Sequence, residues 1–536
     1  MPKVLLIGLD GASWRVLEPW ARAGRLPHVA KLMQRGAWGN LRSTIPALTM
    51  PAWSSLMTGR NPGSHGIYAF WRLNPEGYDP GRIVNANDLR GVTLWELVGR
   101  GGCTVGVINM PPSYPLRPVN GYLVGCMLTP PGAPLTYPPD VQSDLGEYYV
   151  DRRAPRGLRN DRASYVSRAV EYLRGLAEQT RCRTEATLRL LEKRPTDLLA
   201  VVFYAPDRVQ HNFWDELDLQ RPRAAGDEPV VACVEAVMRT LDDAIGSLVA
   251  AAGADATVIL ASDHGFVPKP ERVVRVNRWL AEQGFLRQRP LWSLRRKAVR
   301  KLFPPAWRKR YDTVDFIQLN RAKSQAWAET IDYGTVAIWV HVRGRYPLGC
   351  VTPGAEYESV RRRVRDGLAS LRDEAGRSVF RAARLREEVY HGAELGQAPD
   401  VVAVCDPRYG VVNMSLRRDL RAAGLFGDFS EAGFTGVHEL EGIYLLAGPQ
   451  VHALGRHQEY PIESIAPTVL YLLGLPVPRG MDGVPCTSAL RAEVLARRPV
   501  AFTDEDLEAG ESAGGWPSAQ DEADVAAHLR ALGYLE

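Results

Sequence analysis

The sequence predicts an α/β protein with a largely parallel central sheet and helices on both of its faces. Short apolar runs without alternation are typical of strands buried on both sides, as in parallel sheets. Acidic residues follow several of these runs, where ligand sites of parallel sheets lie. The runs are Val4–Leu9, 198–204, 256–262 and 442–448.

Composition indicates a soluble globular protein. The chain has 536 residues, which allows two or more domains. Hydrophobic residues make up 45% and charged residues 24%, both ordinary proportions. A net charge of +5 is small for this length and does not indicate nucleic-acid binding.

The cysteines and the N-terminus favour a cytoplasmic location. The seven cysteines are scattered and form no Cys-x-x-Cys pair. This pattern argues against a disulfide framework or a cysteine zinc site and fits a reducing compartment. Val4–Leu9 is too short for the core of a signal peptide, and no apolar run has the roughly 18 residues that a membrane span needs.

Asp10 and Gly11 end the first apolar run. In a parallel sheet this position lies at the carboxyl edge, where ligands bind. Asp10 is therefore a candidate ligand, with the alternative that it caps the helix that follows. The next elements predicted are a short helix near residues 26–33 and a strand near residues 103–109.

The stretch from Ile45 to Gly59 presents Thr49 at a helix start. Proline is tolerated in the first turn of a helix, so Pro51 predicts a helix over residues 52–58, which Gly59 ends. Free N–H groups and the positive end of the helix dipole would suit a phosphate at this point. The alternative is that Thr49 is an ordinary N-cap. His65, a little further on, is interpreted as holding a turn rather than as a ligand.

Two acid–imidazole pairs follow the next apolar runs. Asp207 and His211 are four residues apart and face the same side of a helical turn, which is half of a zinc or manganese site, or else a simple surface contact. Asp263 and His264 precede Gly265, which supplies a turn. His438 lies in a loop that contains glycine.

The composition of the sequence changes near residue 286. We predict an inserted cap over 286–398 between core segments 1–285 and 399–490. The basic stretch 287–310 is interpreted as a solvated helix and linker rather than a patch for an anionic partner. Thr335–Val342 alternates like a strand, 356–372 is helical, and a strand follows Asp400. A tail over 491–536 ends in a short helix.

Together the candidates supply three carboxylates, three imidazoles and one hydroxyl, a ligand set that divalent metal pairs use to clamp phosphoryl groups. The chain resembles the alkaline phosphatase superfamily, in particular its branch of type I phosphodiesterases and nucleotide pyrophosphatases and a bacterial group of predicted phosphohydrolases or phosphomutases. The motifs that carry the resemblance are Leu-Asp10-Gly, Leu-Thr49-Met-Pro, Gly-Ser-His65-Gly, Asp207-Arg-Val-Gln-His211, Ser-Asp263-His264-Gly and Gly-Val-His438.

The resemblance implies an alkaline-phosphatase-like sandwich that carries two divalent ions, zinc or alternatively manganese. One ion would be held by Asp10, Thr49, Asp263 and His264. The other would be held by Asp207, His211 and His438. Thr49 would attack phosphorus and form a phosphothreonine, which water then hydrolyses. The implied substrate is a small phosphorylated molecule and not a nucleic-acid polymer.

The resemblance leaves several functions open. The first is a phosphodiesterase or nucleotide pyrophosphatase; the alternatives are a phosphomonoesterase, a phosphomutase and a non-catalytic binding protein, which the complete ligand set disfavours. Nucleotide-cleaving members usually carry an asparagine where this chain has Phe70, which argues against a nucleotide diester. The sulfatase motif is missing around Thr49, so the sulfatase branch is disfavoured.

Overall fold

The structure, a computed structural model, describes residues 1–72, 81–151, 158–159, 162–221, 226–287, 320–411, 424–429, 434–505, 507 and 518–532. Most of the predicted basic stretch 287–310 lies outside these residues. Within them the strands are β1 (Val4–Leu9), β2 (Gly36–Arg42), β3 (Trp71–Arg72), β4 (Arg82–Ile83), β5 (Val105–Ile108), β6 (Gly121–Val124), β7 (Thr136–Tyr137), β8 (Leu198–Phe203), β9 (Thr257–Ala261), β10 (Gly265–Pro268), β11 (Arg272–Val274), β12 (Ala326–Thr330), β13 (Thr335–Val340), β14 (Phe380–Leu385), β15 (Val401–Cys405), β16 (Tyr409–Gly410), β17 (Phe426–Asp428), β18 (Gly436–Glu439), β19 (Glu441–Ala447), β20 (Gly455–Arg456), β21 (Tyr460–Pro461), β22 (Val477–Pro478) and β23 (Phe502–Thr503).

The helices that the sequence predicts near residues 26–33, 52–58 and 356–372 are present, with small differences in their bounds. The first ten described helices are α1 (Trp14–Arg22), α2 (Pro27–Arg35), α3 (Thr49–Thr58), α4 (Pro62–His65), α5 (Leu94–Arg100), α6 (Gln142–Leu145), α7 (Arg162–Lys193), α8 (Ala205–Leu217), α9 (Glu228–Ala252) and α10 (Val276–Glu282). Later helices span Ala355–Ala369, Ile465–Leu473, Ala492–Arg497 and Ala519–Leu532.

The central sheet has ten strands among the described residues, and its middle is parallel. Its order is β20-β2-β19-β9-β1-β8-β5-β6-β7, with β21 also paired to β2. Strand β1 pairs in parallel with β8 on one side and with β9 on the other. Only β19 and β7 run against their neighbours within the described sheet. The predicted α/β class with a mostly parallel sheet is thus confirmed.

Side chains of β1 alternate between two cores, one on each face of the sheet. Val4 and Leu6 belong to a core that includes α3, α5 and the helix Ile465–Leu473. Leu5, Ile7 and Leu9 belong to a core formed with α1, α2, α7, α8 and α9. Every residue of β1 is buried, which explains why its sequence is uniformly apolar.

A smaller sheet of order β12-β13-β15-β14 has its own apolar core, to which α10 and the helix Ala355–Ala369 contribute. The predicted strand after Asp400 exists as β15, but it pairs with β13 and β14 rather than with the central sheet. The expected boundary between residues 398 and 399 therefore divides strands of one sheet. Strand pairing caused this difference, because the apolar run of β15 is equally suited to either sheet.

Candidate metal centre

Three carboxylates meet at the carboxyl edge of the central sheet. Asp10 follows β1, Asp263 lies two residues beyond β9, and Asp207 lies in the first turn of α8, directly after β8. Because β9, β1 and β8 are neighbours, their carboxyl ends bring these side chains together. All three residues are fully buried.

Asp10, Asp263 and His264 form one group of possible ligands, with one ligand atom from each within 4.8 Å of the others. Nε2 of His264 lies 3.3 Å from Oδ2 of Asp263 and 3.9 Å from Oδ1 of Asp10. The other oxygen of each carboxylate accepts a hydrogen bond. The Gly11 N–H donates to Asp263 Oδ1 at 2.9 Å. Trp53 Nε1 donates to Asp10 Oδ2 at 3.0 Å.

Asp207, His211 and His438 form the second group. Nε2 of His211 and Nε2 of His438 each lie 3.4 Å from Oδ1 of Asp207. The predicted same-face placement of Asp207 and His211 on one helical turn is present in α8. His438 arrives through strand pairing, because β18 runs antiparallel to β10 and sets His438 opposite Phe266. His264 also joins Asp207 and His438 as a possible ligand, so the two groups are contiguous.

The three histidines share one orientation. Nδ1 of His211 lies 3.2 Å from the Gly436 carbonyl, and Nδ1 of His438 lies 2.9 Å from the Ala47 carbonyl. Nδ1 of His264 lies 3.3 Å from the Gly265 carbonyl. A carbonyl can only accept, so each Nδ1 is a protonated nitrogen and each Nε2 faces the cluster. Metal-binding histidines are commonly held in this way.

Thr49 is the first residue of α3, and its hydroxyl caps nothing. The N-cap of α3 is Leu48, which gives no side-chain capping bond. Thr49 is fully buried, and its Oγ1 has no hydrogen-bond partner among the described residues. The N-cap interpretations of Thr49 and of Asp10 are both wrong, since Ser13 caps α1. Helix α3 begins two residues before Pro51, which occupies its first turn.

Unpaired buried atoms mark the cluster. Within the described part of the chain, five of its atoms lack any hydrogen bond: Asp10 Oδ1, Thr49 Oγ1, Asp207 Oδ1, Asp263 Oδ2 and His264 Nε2. Buried polar atoms are rarely left unpaired, because each one forgoes solvation of about 1–3 kcal/mol. The second oxygen of each of these carboxylates accepts a hydrogen bond. The unpaired atoms therefore surround one shared space.

The electrostatics of the cluster are strongly perturbed. Burial, followed by repulsion from Asp263 and Asp207, raises the pKa of Asp10 well above its usual value. Burial raises the pKa of Asp263 to about 7, although the Gly11 N–H opposes this shift. Burial also favours protonation of Asp207, but His211, His438 and Arg208 outweigh it, so the pKa of Asp207 is lowered. Such opposing shifts are characteristic of functional sites.

The donor set fits divalent metal ions. Carboxylate oxygens and imidazole nitrogens are ligands of zinc and manganese, and a cation would pair the atoms that otherwise have no partner. Crowded carboxylates also need positive charge nearby, because burial makes their mutual repulsion severe. The cluster is therefore a candidate metal centre by its chemistry and by its geometry.

Three further residues lie near the site, and the sequence analysis had pointed to two of them. His65 holds a turn as predicted: its Nδ1 accepts from the Ile67 N–H at 3.2 Å, and its Nε2 lies 2.9 Å from Ser55 Oγ. Phe70 packs in the main core with 4% of its surface exposed. Trp53 was missed as a partner of Asp10, although its position four residues after Thr49 puts it on the same helix face.

Comparisons with known proteins agree with this fold. Residues 4–431 match the model of the family described as type I phosphodiesterase/nucleotide pyrophosphatase. Eighty residues are 38% identical to ectonucleotide pyrophosphatase/phosphodiesterase family member 1 of Homo sapiens, and the same identity holds for the Rattus norvegicus protein. That match spans 15% of this chain and only 8% of the relative's length.

Among solved structures, phosphonoacetate hydrolase from Sinorhizobium meliloti 1021 in complex with phosphonoformate has the same overall fold. It is 17% identical with a TM-score of 0.55, and the alignment covers 88% of this chain and 95% of that chain. No described helix of this chain is long and apolar enough to cross a bilayer. The family model covers most of the sequence, and the chain belongs to the type I phosphodiesterase/nucleotide pyrophosphatase family, a family of metal-dependent phosphoester hydrolases.

Proposed function

We propose that this protein is a phosphodiesterase-type phosphoester hydrolase that uses two divalent ions and a covalent intermediate, in which Thr49 has displaced one alcohol from phosphorus and the other alcohol stays esterified until water releases it. The observation that carries the proposal is the convergence of unpaired buried atoms, with the Thr49 hydroxyl among them. A hydroxyl at the start of α3, without a capping bond, is free to react. The position of Phe70 in the core offers no amide for a nucleotide diester, so we propose a substrate that is not a nucleotide.

Each of the two ligand groups would hold one ion. Asp10, Asp263, His264 and Thr49 would hold one ion, and Asp207, His211 and His438 the other. Zinc suits this mixture of imidazole and carboxylate, with manganese as the alternative. When bound, such ions lower the pKa of a hydroxyl and offset the charge that develops on phosphoryl oxygens.

The chain's own groups prepare the reaction. Helix α3 begins at Thr49, so the positive end of its dipole would favour an anion beside the Thr49 hydroxyl. Trp53 and the Gly11 N–H hold Asp10 and Asp263 in fixed rotamers, so little reorganisation is needed when a substrate binds. Thr49 is fully buried, which limits the access of bulk water to its hydroxyl.

Trapping the intermediate tests the proposal. The protein, supplied with zinc, is mixed with an activated phosphodiester, quenched in acid during turnover and digested with trypsin. We expect one phosphoryl group, still esterified with the alcohol that is not displaced, on the peptide that spans residues 43–60, located at Thr49 by fragmentation. Turnover without any phosphorylation of this peptide, at several quench times, would reject the covalent route.

We also propose that the protein works in the cytoplasm. All seven cysteines, each within the described residues, are free thiols in the structure. This state supports a reducing compartment.

A further inference from the structure

A short segment of the smaller sheet lies against the loop that leads to Thr49. This connecting segment, residues 389–397, belongs to the connection between β14 and β15, and the Thr49 loop is residues 43–48. Tyr390 is 2% exposed, and its hydroxyl donates to the Ile45 carbonyl at 2.6 Å. Ile45 lies four residues before Thr49, so a side chain of the smaller sheet reaches the loop of the candidate nucleophile.

Polar contacts hold the connecting segment against the core beside α4. The His391 N–H donates to Asn61 Oδ1 at 3.2 Å, and the Tyr68 hydroxyl donates to the Glu394 carbonyl at 3.0 Å. The Glu394 N–H donates to the Gly63 carbonyl at 2.8 Å. A Cβ on Gly63 would lie 2.4 Å from the His391 carbonyl oxygen, so only glycine permits this approach. These contacts fix the backbone of the connecting segment relative to the core.

Packing fixes the ring of Tyr390 independently of its hydroxyl. The rings of Tyr390 and Tyr68 meet edge to face, with centroids 5.2 Å apart. Tyr390 also belongs to a small apolar cluster with Ala398 and Val402, against which Ile45 packs. A phenylalanine at position 390 would therefore keep these contacts and lose only the hydrogen bond to the Thr49 loop.

Two side chains from outside the Thr49 loop donate to its carbonyls, one near each end. Tyr390 donates to the Ile45 carbonyl, and Nδ1 of His438 donates to the Ala47 carbonyl at 2.9 Å. The Thr49 loop therefore links the smaller sheet to the candidate metal centre. Because Thr49 follows the loop directly, a shift of the loop changes where its hydroxyl lies relative to the ligand cluster.

We propose that Tyr390 is a positioning residue for Thr49, so that the smaller sheet sets the reactivity of a site whose candidate ligands all lie outside it. The inference rests on the proposed function, which supplies the nucleophile, and adds the group that aligns it. Attack on phosphorus needs reacting atoms that are aligned and about 3–3.5 Å apart, and a displacement of about 1 Å can cost about 100-fold in rate. The Tyr390 hydroxyl restrains the loop against such a displacement.

Tyr390→Phe tests the inference in single-turnover experiments. With zinc-loaded protein in excess over bis(4-nitrophenyl) phosphate, the release of 4-nitrophenol follows the attack by Thr49 and not the later release by water. We expect the saturating rate constant to fall by at least about 10-fold and the half-saturating protein concentration to stay within about 2-fold, because alignment and not binding is lost. Metal content should not change. A lower melting temperature with an unchanged rate constant would show a merely structural role and overturn the proposal.

Tyr68→Phe is the matched control. Tyr68 packs against Tyr390 and also donates one hydrogen bond across the same contact, but to the Glu394 carbonyl and not to the Thr49 loop. We expect a similar loss of melting temperature and a single-turnover rate constant within about 2-fold of that of the unmodified protein. Equal losses of rate in both variants would mean that the Tyr390 hydroxyl has no specific role, which would reject the proposal.

Vanadate binding separates this inference from the proposed function, because it needs no turnover. Vanadate accepts an oxygen nucleophile and adopts the five-coordinate geometry of phosphoryl transfer, so its affinity depends on alignment. In calorimetric titrations of zinc-loaded protein we expect Tyr390→Phe to bind vanadate at least about 5-fold more weakly than the unmodified protein and Tyr68→Phe to bind it equally. This pattern without hydrolysis of any ester supports the positioning role, and the hydrolase proposal alone fails. Hydrolysis with equal rates and equal vanadate binding in Tyr390→Phe leaves the hydrolase and rejects the positioning role.

Discussion

Nε2 of His211 lies 2.9 Å from Nε2 of His438, while the Nδ1 of each ring lies against a backbone carbonyl. Two lone pairs cannot face each other at this distance unless a proton or a metal ion lies between them. Burial lowers the pKa of His211 to about 4. Burial also acts against a proton on His438, but Asp207 outweighs it and the pKa of His438 is raised.

We therefore expect His211→Ala and His438→Ala each to lower bound metal to about one ion per chain, because only the second ligand group is broken. Metal content is measured on dialysed protein by plasma mass spectrometry. His457→Ala serves as the control, since His457 hydrogen-bonds with Ser488 and belongs to neither ligand group. Unchanged metal content in both ligand variants would contradict the second site.

Thr49→Ala tests the nucleophile directly. We expect the rate on an activated phosphodiester to fall by at least about 10³-fold, because the attacking oxygen is gone. Thr49→Ser keeps this oxygen and should retain much of the activity. Since Oγ1 makes no capping bond, thermal stability should change little in either variant. A fully active Thr49→Ala protein would eliminate the covalent mechanism.

Trp53→Phe probes how Asp10 is positioned. The change removes the indole N–H that donates to Asp10 Oδ2 at 3.0 Å, so we expect metal affinity to fall about 10–100-fold. Trp20→Phe is the matched control, because Trp20 is also buried and its Nε1 donates to the Leu217 carbonyl at 2.8 Å. The control should lose stability without losing metal affinity. Equal metal affinities in Trp53→Phe and the unmodified protein would show that Asp10 needs no such support.

Asp88 links protein stability to pH. Burial favours its neutral form, but hydrogen bonds from Arg82 and Arg72 and from the Asn85 N–H outweigh this effect and lower its pKa. Because the folded pKa lies below the unfolded value, the stabilisation is complete above about pH 4 and is lost as the pH falls through the folded pKa.

We expect Asp88→Asn to destabilise the protein by about 1–3 kcal/mol at pH 7, since two partly exposed arginines lose their charged acceptor. The difference from the unmodified protein should shrink as the pH falls below about 4. Urea unfolding at a series of pH values measures both effects. A destabilisation that stays constant down to pH 2 would mean that the charge of Asp88 contributes nothing.

The sequence by itself determined the local elements and the chemistry available. The apolar runs marked β1, β8 and β9 because strands buried on both faces admit few polar residues. The four-residue spacing of Asp207 and His211 placed both on one helix face, since that geometry is fixed within a single turn.

Only the tertiary structure decided which of these pieces meet. Asp10 and Asp263 approach each other because β9 lies beside β1, and His438 approaches His211 across 227 residues of sequence because β18 pairs with β10. Tertiary structure likewise decided three other features: β15 belongs to the smaller sheet, Trp53 supports Asp10, and the Tyr390 hydroxyl donates to the Ile45 carbonyl. Local patterns reveal which face of a strand or helix is buried, but many partners satisfy the same apolar face and the same backbone hydrogen bonds. The choice among them depends on long-range packing of the whole chain.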